Sequence, residues 1–127
     1  MGWRDGYIAV DWGTTNRRAY AVDGNGQLED WFEDDFGLLA VPRGGFETAA
    51  DDIRRRLGDR PMLLAGMVGS NRGWVEAPYV PCPAGAAPLP GAARSVQAGP
   101  VETCHASSVA RDATGRCAHA RSACCRR

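Results

Sequence analysis

The run Tyr7-Ile8-Ala9-Val10-Asp11-Trp12-Gly13-Thr14-Thr15-Asn16-Arg17-Arg18-Ala19-Tyr20 leaves this chain few ways to fold. An apolar segment of strand length ends in an acid, passes through a short turn of small and hydroxyl residues, and resumes as a second segment of strand length. Strands joined so closely lie antiparallel. Tyr7 to Trp12 is mostly apolar, which predicts a first strand buried on both faces. The turn also carries chemistry. A carboxylate at the end of such a strand can hold Mg²⁺ directly or through water, because that ion prefers oxygen ligands and keeps several waters. Gly13 lets the backbone come close, and the turn amides with the Thr14 and Thr15 hydroxyls can donate to phosphate oxygens. The blander reading of Asp11 is a turn or cap acid.

Further along, Arg17 to Val22 predicts the second strand, and Asp23-Gly24-Asn25-Gly26 a hairpin turn. Gln27 to Asp35 predicts the third strand, with Leu28, Trp31 and Phe32 as its apolar members. The result is an antiparallel meander of three strands. Gly37 to Gly45 reads as loop, broken by Pro42 and the Gly44-Gly45 pair. Phe46 to Leu57 predicts a helix, since Ala49, Ala50, Ile53 and Leu57 fall at helical spacing. Its acids come early and its arginines late, as the helix dipole prefers, and Gly58 then Pro61 supply the stop. Met62 to Ala65 is a short apolar run that predicts a buried strand. It opens into the glycine-rich loop Gly66-Met67-Val68-Gly69-Ser70-Asn71-Arg72-Gly73-Trp74. Loops at the ends of buried strands are where open α/β sheets bind ligands. Ser70 and Asn71 donate and accept, Trp74 offers a flat apolar face, and Arg72 a permanent charge, so the set suits a polyol or carboxylate. The alternative is that the glycines only make turns and Trp74 plugs the core. Glu76 to Pro83 is extended, because its prolines forbid a helix.

Composition divides the chain near residue 84. Overall the charge is zero, with 15 basic residues, all of them Arg, against 15 acids. Residues 1–83 hold 9 Arg and 13 acids, whereas residues 84–127 hold 6 Arg and 2 acids. All ten aromatic residues fall between Trp3 and Tyr79, while four of the five Cys and twelve Ala follow residue 83. A segment so poor in large apolar groups has little surface with which to offset the entropy of ordering it. Residues 1–84 are thus expected to form the folded part, and residues 85–127 a disordered Ala/Arg/Cys tail. No basic stripe points to nucleic acid, no apolar stretch is long enough for a membrane helix, and Met1 to Gly6 lacks a signal-peptide layout. A cytoplasmic setting is the expectation.

Two blocks carry a resemblance. Asp11-Trp12-Gly13-Thr14-Thr15-Asn16 resembles the first phosphate motif of the sugar kinase, heat-shock protein and actin superfamily. Ala65-Gly66-Met67-Val68-Gly69-Ser70-Asn71-Arg72-Gly73-Trp74, followed by Glu76-Ala77-Pro78-Tyr79, resembles the bacterial 2-dehydro-3-deoxygalactonokinases of galactonate catabolism. The resemblance covers residues 7 to about 84. It implies an α/β fold, the partial N-terminal lobe of a ribonuclease-H-like (actin-like ATPase) architecture. It also implies transfer of the ATP γ-phosphoryl group to a sugar acid, 2-dehydro-3-deoxygalactonate, with ATP and Mg²⁺ as cofactors. By that resemblance Asp11 places Mg²⁺ through water, and Gly13, Thr14, Thr15 and Asn16 line the phosphates. Ser70, Asn71, Trp74 and Arg17 are the candidates for the sugar acid, with Asn16 and Arg17 also within reach of phosphate. Positioning and electrostatics carry most of phosphoryl-transfer catalysis, so such groups matter.

The resemblance also marks what this sequence lacks. Family members are more than twice as long, and their second phosphate motif, adenosine-binding glycines and general base have no counterpart here. Asp112 is the one Asp after residue 59, and with no apolar strand before it the base cannot be assigned to it. The tail has the composition of GC-rich DNA read out of frame, which translation of the locus in all three frames tests. Its rival reading is a zinc site at Cys104-His105, Cys117-x-His119 and Cys124-Cys125, but the spacing forms no knuckle. The chain alone is therefore expected to lack kinase activity. A small phosphate- or nucleotide-binding module, or another sugar kinase of the superfamily, are the alternatives.

Overall fold

The computed structural model describes residues 3–77 and the backbone of four later strands, 94–98, 101–106, 109–111 and 117–119. A turn of 3₁₀ helix at Trp3–Asp5 leads into β1 (Gly6–Trp12), β2 (Arg17–Asp23) and β3 (Leu28–Asp34). Then come α1 (Phe46–Leu57), β4 (Met62–Gly66), β5 (Arg94–Ala98), β6 (Val101–Ala106), β7 (Val109–Arg111) and β8 (Cys117–His119). The main sheet runs in the order β3-β2-β1-β4-β6-β5, and β7 with β8 forms a separate ribbon. The expected α/β class, the three-strand antiparallel meander, the helix and the following core strand are all present.

Local chemistry accounts for these elements. In the β2–β3 hairpin the Asp23 carboxylate accepts from the Asn25 amide at 2.9 Å and the Gln27 amide at 2.8 Å, which closes the turn. The Gln27 amide, against desolvation, and then the Asn25 groups hold its pKa below the usual carboxylate value. Helix α1 ends where Gly58, at φ +98°, donates its amide to the Arg54 carbonyl at 2.8 Å. Its apolar stripe packs on one face of the sheet, where Ile8, Val10, Trp12, Ala19, Ala21, Met62 and Leu64 meet Ala49, Ala50, Ile53 and Leu57.

The other face differs from the expectation for β1. Ile8, Val10 and Trp12 are buried, but Tyr7 and Ala9 are only half-buried and Asp11 is exposed. Strand β1 is therefore covered fully on the helix side alone, since the single described α-helix packs there. Strand β3 lies at the sheet edge, and its Leu28 and Trp31 stay 56% and 54% exposed. Trp31 stacks on Tyr20, with ring centroids 6.3 Å apart.

The sheet also reaches past residue 84. Strand β6 pairs parallel with β4, from Met62↔Thr103 to Ala65↔Ala106, and β5 pairs antiparallel with β6. Four strands, β5 to β8, thus fall within the 85–127 segment. Backbone amides and carbonyls pair in a ladder whatever their side chains, a source of order that composition does not register. The short strand β7, Val109–Arg111, ends just before Asp112. Asp112 itself, the remainder of 85–127 and the tail's Cys and His side chains lie outside the described residues.

Candidate functional site

Pairing of β1 with two neighbours brings the two sequence blocks together. Asp11 stands opposite Arg18 on β2 and Ala65 on β4, and Trp12 opposite Arg17 and Gly66. Strands β1 and β4 are parallel, so the turn after Trp12 and the glycine-rich loop after Gly66 leave the sheet at the same end. Gly66 has φ +100°, and a Cβ there would stand 2.8 Å from the Trp12 carbonyl oxygen and 3.3 Å from Asp11 Oδ1. Only glycine lets the second block start this close to the Asp11 carboxylate.

The turn itself is held from one side. Gly13 donates its amide to the Asn16 carbonyl at 2.9 Å. The amides of Leu38, Leu39 and Gly37 donate to the carbonyls of Gly13, Thr14 and Thr15 at 2.9, 3.1 and 3.1 Å respectively. Each peptide unit is planar and trans, so its N–H points opposite its C=O. Fixing the three carbonyls toward residues 37–39 therefore turns the Thr14, Thr15 and Asn16 amides the other way. Those three amides donate to no described residue. Successive unpaired amides of this kind make an anion-binding concavity. Gly37 permits the clamp by its lack of a side chain, for a Cβ there would lie 2.6 Å from both the Thr14 oxygen and the Asn16 nitrogen. Sequence reasoning read Gly37 to Gly45 only as loop, and nothing in its composition marks Gly37-Leu38-Leu39 as the partner of a turn more than twenty positions earlier.

A cleft of about 230 Å³ lies over the turn, lined by Asp11, Gly13, Thr14, Thr15, Asn16 and Arg18. Five of the sequence candidates thus meet in one place. Arg18, which sequence reasoning passed over, joins them and pairs with Glu33 at 3.2 Å. Strand alternation was the available signal, because residues 11 and 18 are register partners and share a face.

Arg17 is corrected. It is 1% exposed and sits on the helix side of the sheet. Its Nη2 pairs with Asp34 at 3.0 Å and Asp52 at 2.9 Å, and its Nη1 donates to the Ala49 carbonyl at 3.0 Å. Its guanidinium carbon lies 5.4, 5.5 and 5.0 Å from the ring centroids of Trp12, Phe32 and Phe36. With its donors committed and its ring contacts filled, Arg17 does not reach the cleft. Burial pushes the Asp34 pKa up, but the Arg17 hydrogen bond, the Phe36 amide and the Arg17 and Arg56 charges outweigh this and hold it low.

The second block stands apart from the cleft lining. Ser70 Oγ donates to the Met67 carbonyl at 2.7 Å and accepts from the Arg72 amide at 3.3 Å, so part of its capacity is spent on its own loop. Asn71 and Arg72 are exposed. Trp74 stacks on Phe46 at 5.8 Å, and Phe46 meets Trp12 edge-on at 5.9 Å. One face of the Trp74 indole is therefore already taken, and the aromatic series ties the loop to β1.

The donor set fits a metal-bound phosphate. Among the described residues no group of three or more His, Cys, Asp or Glu side chains could hold a metal. Asp11 stands beside three unpaired amides, a composition suited to an ion that takes one carboxylate, phosphate oxygens and water. Among the described residues, no helix is long and apolar enough to cross a membrane.

The profile of the 2-keto-3-deoxy-galactonokinase family matches residues 11–111, so the likeness does not stop near residue 84. The 2-dehydro-3-deoxygalactonokinase of Escherichia coli K12 is 39% identical over 82 residues, covering 61% of this chain and 27% of that one. A probable 2-dehydro-3-deoxygalactonokinase of Rhizobium meliloti 1021 is 30% identical over 93 residues, covering 71% of this chain and 30% of that one. A crystal structure from Sinorhizobium meliloti, of a protein assigned by name to the 2-dehydro-3-deoxygalactonokinases, superimposes with a TM-score of 0.72. It is 26% identical and covers 80% of this chain and 34% of that one. The chain thus spans about a third or less of the length of these relatives. The parallel pairing of β1 with β4 brings both blocks to one end of the sheet, and the extent of the family match places this chain in the 2-keto-3-deoxy-galactonokinase family.

Proposed function

We propose that this chain provides the phosphate-gripping wall of an ATP-dependent kinase for a sugar acid, 2-dehydro-3-deoxygalactonate, in a cytoplasmic setting. The observation that carries the reading is the set of unpaired Thr14, Thr15 and Asn16 amides beside the exposed Asp11 carboxylate. In this reading the amides and the Thr hydroxyls hold the β- and γ-phosphate oxygens, and Asp11 orients the bound Mg²⁺ through water. When bound, that ion supplies charge neutralisation of the triphosphate. Arg18 adds positive charge at the rim, partly offset by Glu33. Asn71 and the free part of Ser70 contact the sugar acid's hydroxyl and carboxylate groups, and Trp74 forms the apolar side of that subsite.

Because the chain spans about a third of its relatives, we also propose that it binds Mg–ATP without turning it over. No residue of this chain is assigned as the base that takes the hydroxyl proton. Titration calorimetry with Mg–ATP tests the first statement and a coupled assay with ATP and the sugar acid the second. Asp11→Asn is expected to weaken Mg–ATP binding at least about tenfold, equal to about 1.4 kcal/mol. Its stability should shift by less than about 0.5 kcal/mol, as for an exposed site. Wild-type chain that fails to bind Mg–ATP sinks the phosphate reading, and turnover well above background sinks the inactivity.

A further inference from the structure

Arg17 and Asp34 lie across the sheet from the cleft, yet each is tied to the turn. Arg17 is joined directly to Asn16, the last residue of the turn. Asp34 Oδ1 accepts from Arg17 Nε at 3.1 Å and from the Phe36 amide at 3.1 Å. Phe36 leads straight into Gly37, Leu38 and Leu39, whose amides hold the turn carbonyls. One carboxylate therefore fixes the chain leaving the turn and the start of the segment that clamps it. Asp52 also pairs with Arg17, at 2.9 Å, but Asp52 makes no hydrogen bond to residues 36–39.

We propose that Asp34 is a positioning residue for the phosphate turn, setting the direction of the Thr14, Thr15 and Asn16 amides through Phe36 and the 37–39 clamp. The physical route is short. The carboxylate anchors the Phe36 amide, and that anchors the segment. The segment holds three carbonyls, and the rigid peptide planes carry their direction to the amides on the other side. The cleft then meets a phosphate with its donors already aimed, so less ordering cost falls on binding. This rests on the phosphate reading of the turn given above.

The test compares two carboxylate removals in the full chain by Mg–ATP titration and amide hydrogen exchange. Asp34→Ala is expected to weaken Mg–ATP binding about tenfold and to speed exchange at the Leu38 and Leu39 amides by a similar factor. Asp52→Ala, which costs Arg17 a partner without touching the clamp, should change both by less than about threefold. Asp34→Asn keeps a carbonyl oxygen for the Phe36 amide and should recover most of the binding. Equal losses in Asp34→Ala and Asp52→Ala, or no recovery in Asp34→Asn, overturn the proposal. Should Asp34→Ala not fold, wild-type chain decides: saturation with Mg–ATP should move the ¹⁵N resonances of the Phe36 amide and Arg17 Nε. Stationary resonances at saturation overturn it. Wild-type chain that binds no Mg–ATP removes the phosphate reading itself, and the proposal falls with it.

Discussion

Arg17 and Arg18 are neighbours on β2 and opposites in setting. Arg17 faces the helix at 1% exposure, with two carboxylates, a carbonyl and three aromatic rings around it. Arg18 faces the cleft, 49% exposed, with a single carboxylate at 3.2 Å. The same contrast separates the two sides of the sheet. On the helix side the charged groups are spent on one another, whereas on the cleft side Asp11 and three turn amides keep their capacity. Stability is concentrated on the first side and available chemistry on the second.

The sharpest way to break this comparison is Arg17→Met. It leaves Asp34 and Asp52 without their shared buried cation, and should cost about 3 kcal/mol. That is the low end for a broken buried pair, because both carboxylates keep some water. Urea denaturation measures it, and a loss below about 1 kcal/mol would show that the helix side is not where stability resides. Next comes Gly37→Ala. Its Cβ would press on backbone of the turn, which cannot rotate away as a side chain can, and the expected cost is about 2 kcal/mol. Thermal unfolding gives the number, and unchanged stability would mean the clamp yields easily.

A milder perturbation is acid. The folded pKa of Asp34 is depressed below 3.8, so its contribution is complete above that value and is lost as pH falls through the folded one. Stability followed from pH 6 downward should drop in that acid window, and the drop should shrink in Asp34→Asn. The smallest effect belongs to Arg18→Met, expected within about 0.5 kcal/mol of wild type because its ion pair is exposed. A loss as large as that of Arg17→Met would abolish the distinction between the two sides.

Much of the fold was legible because its signals are local. The hairpin residues Asp23 to Gly26, the period of Ala49, Ala50, Ile53 and Leu57, and the stop at Gly58 each act within a few residues. The meeting of Asp11 with Gly66 comes from strand register, not from the resemblance of either block. What stayed hidden depends on contacts between distant segments. Arg17 reads as an exposed cation beside a phosphate motif until the strand register assigns it to the helix side. The Gly37–Leu39 clamp is made of backbone, so no side chain announces it. Strands β5 and β6 are likewise paired through ladder bonds, in a segment with few large apolar residues.

The cations of the cluster around Asp34 and Asp52 are all guanidinium groups, from Arg17, Arg55 and Arg56. Guanidinium does not lose its proton anywhere in the range where proteins stay folded. A lysine in any of these places would let alkali dissolve its ion pair near the amine's own titration. No lysine stands in this cluster, so that route is closed to it. Its lock between sheet and helix opens to acid only, so its tolerance of pH should be lopsided.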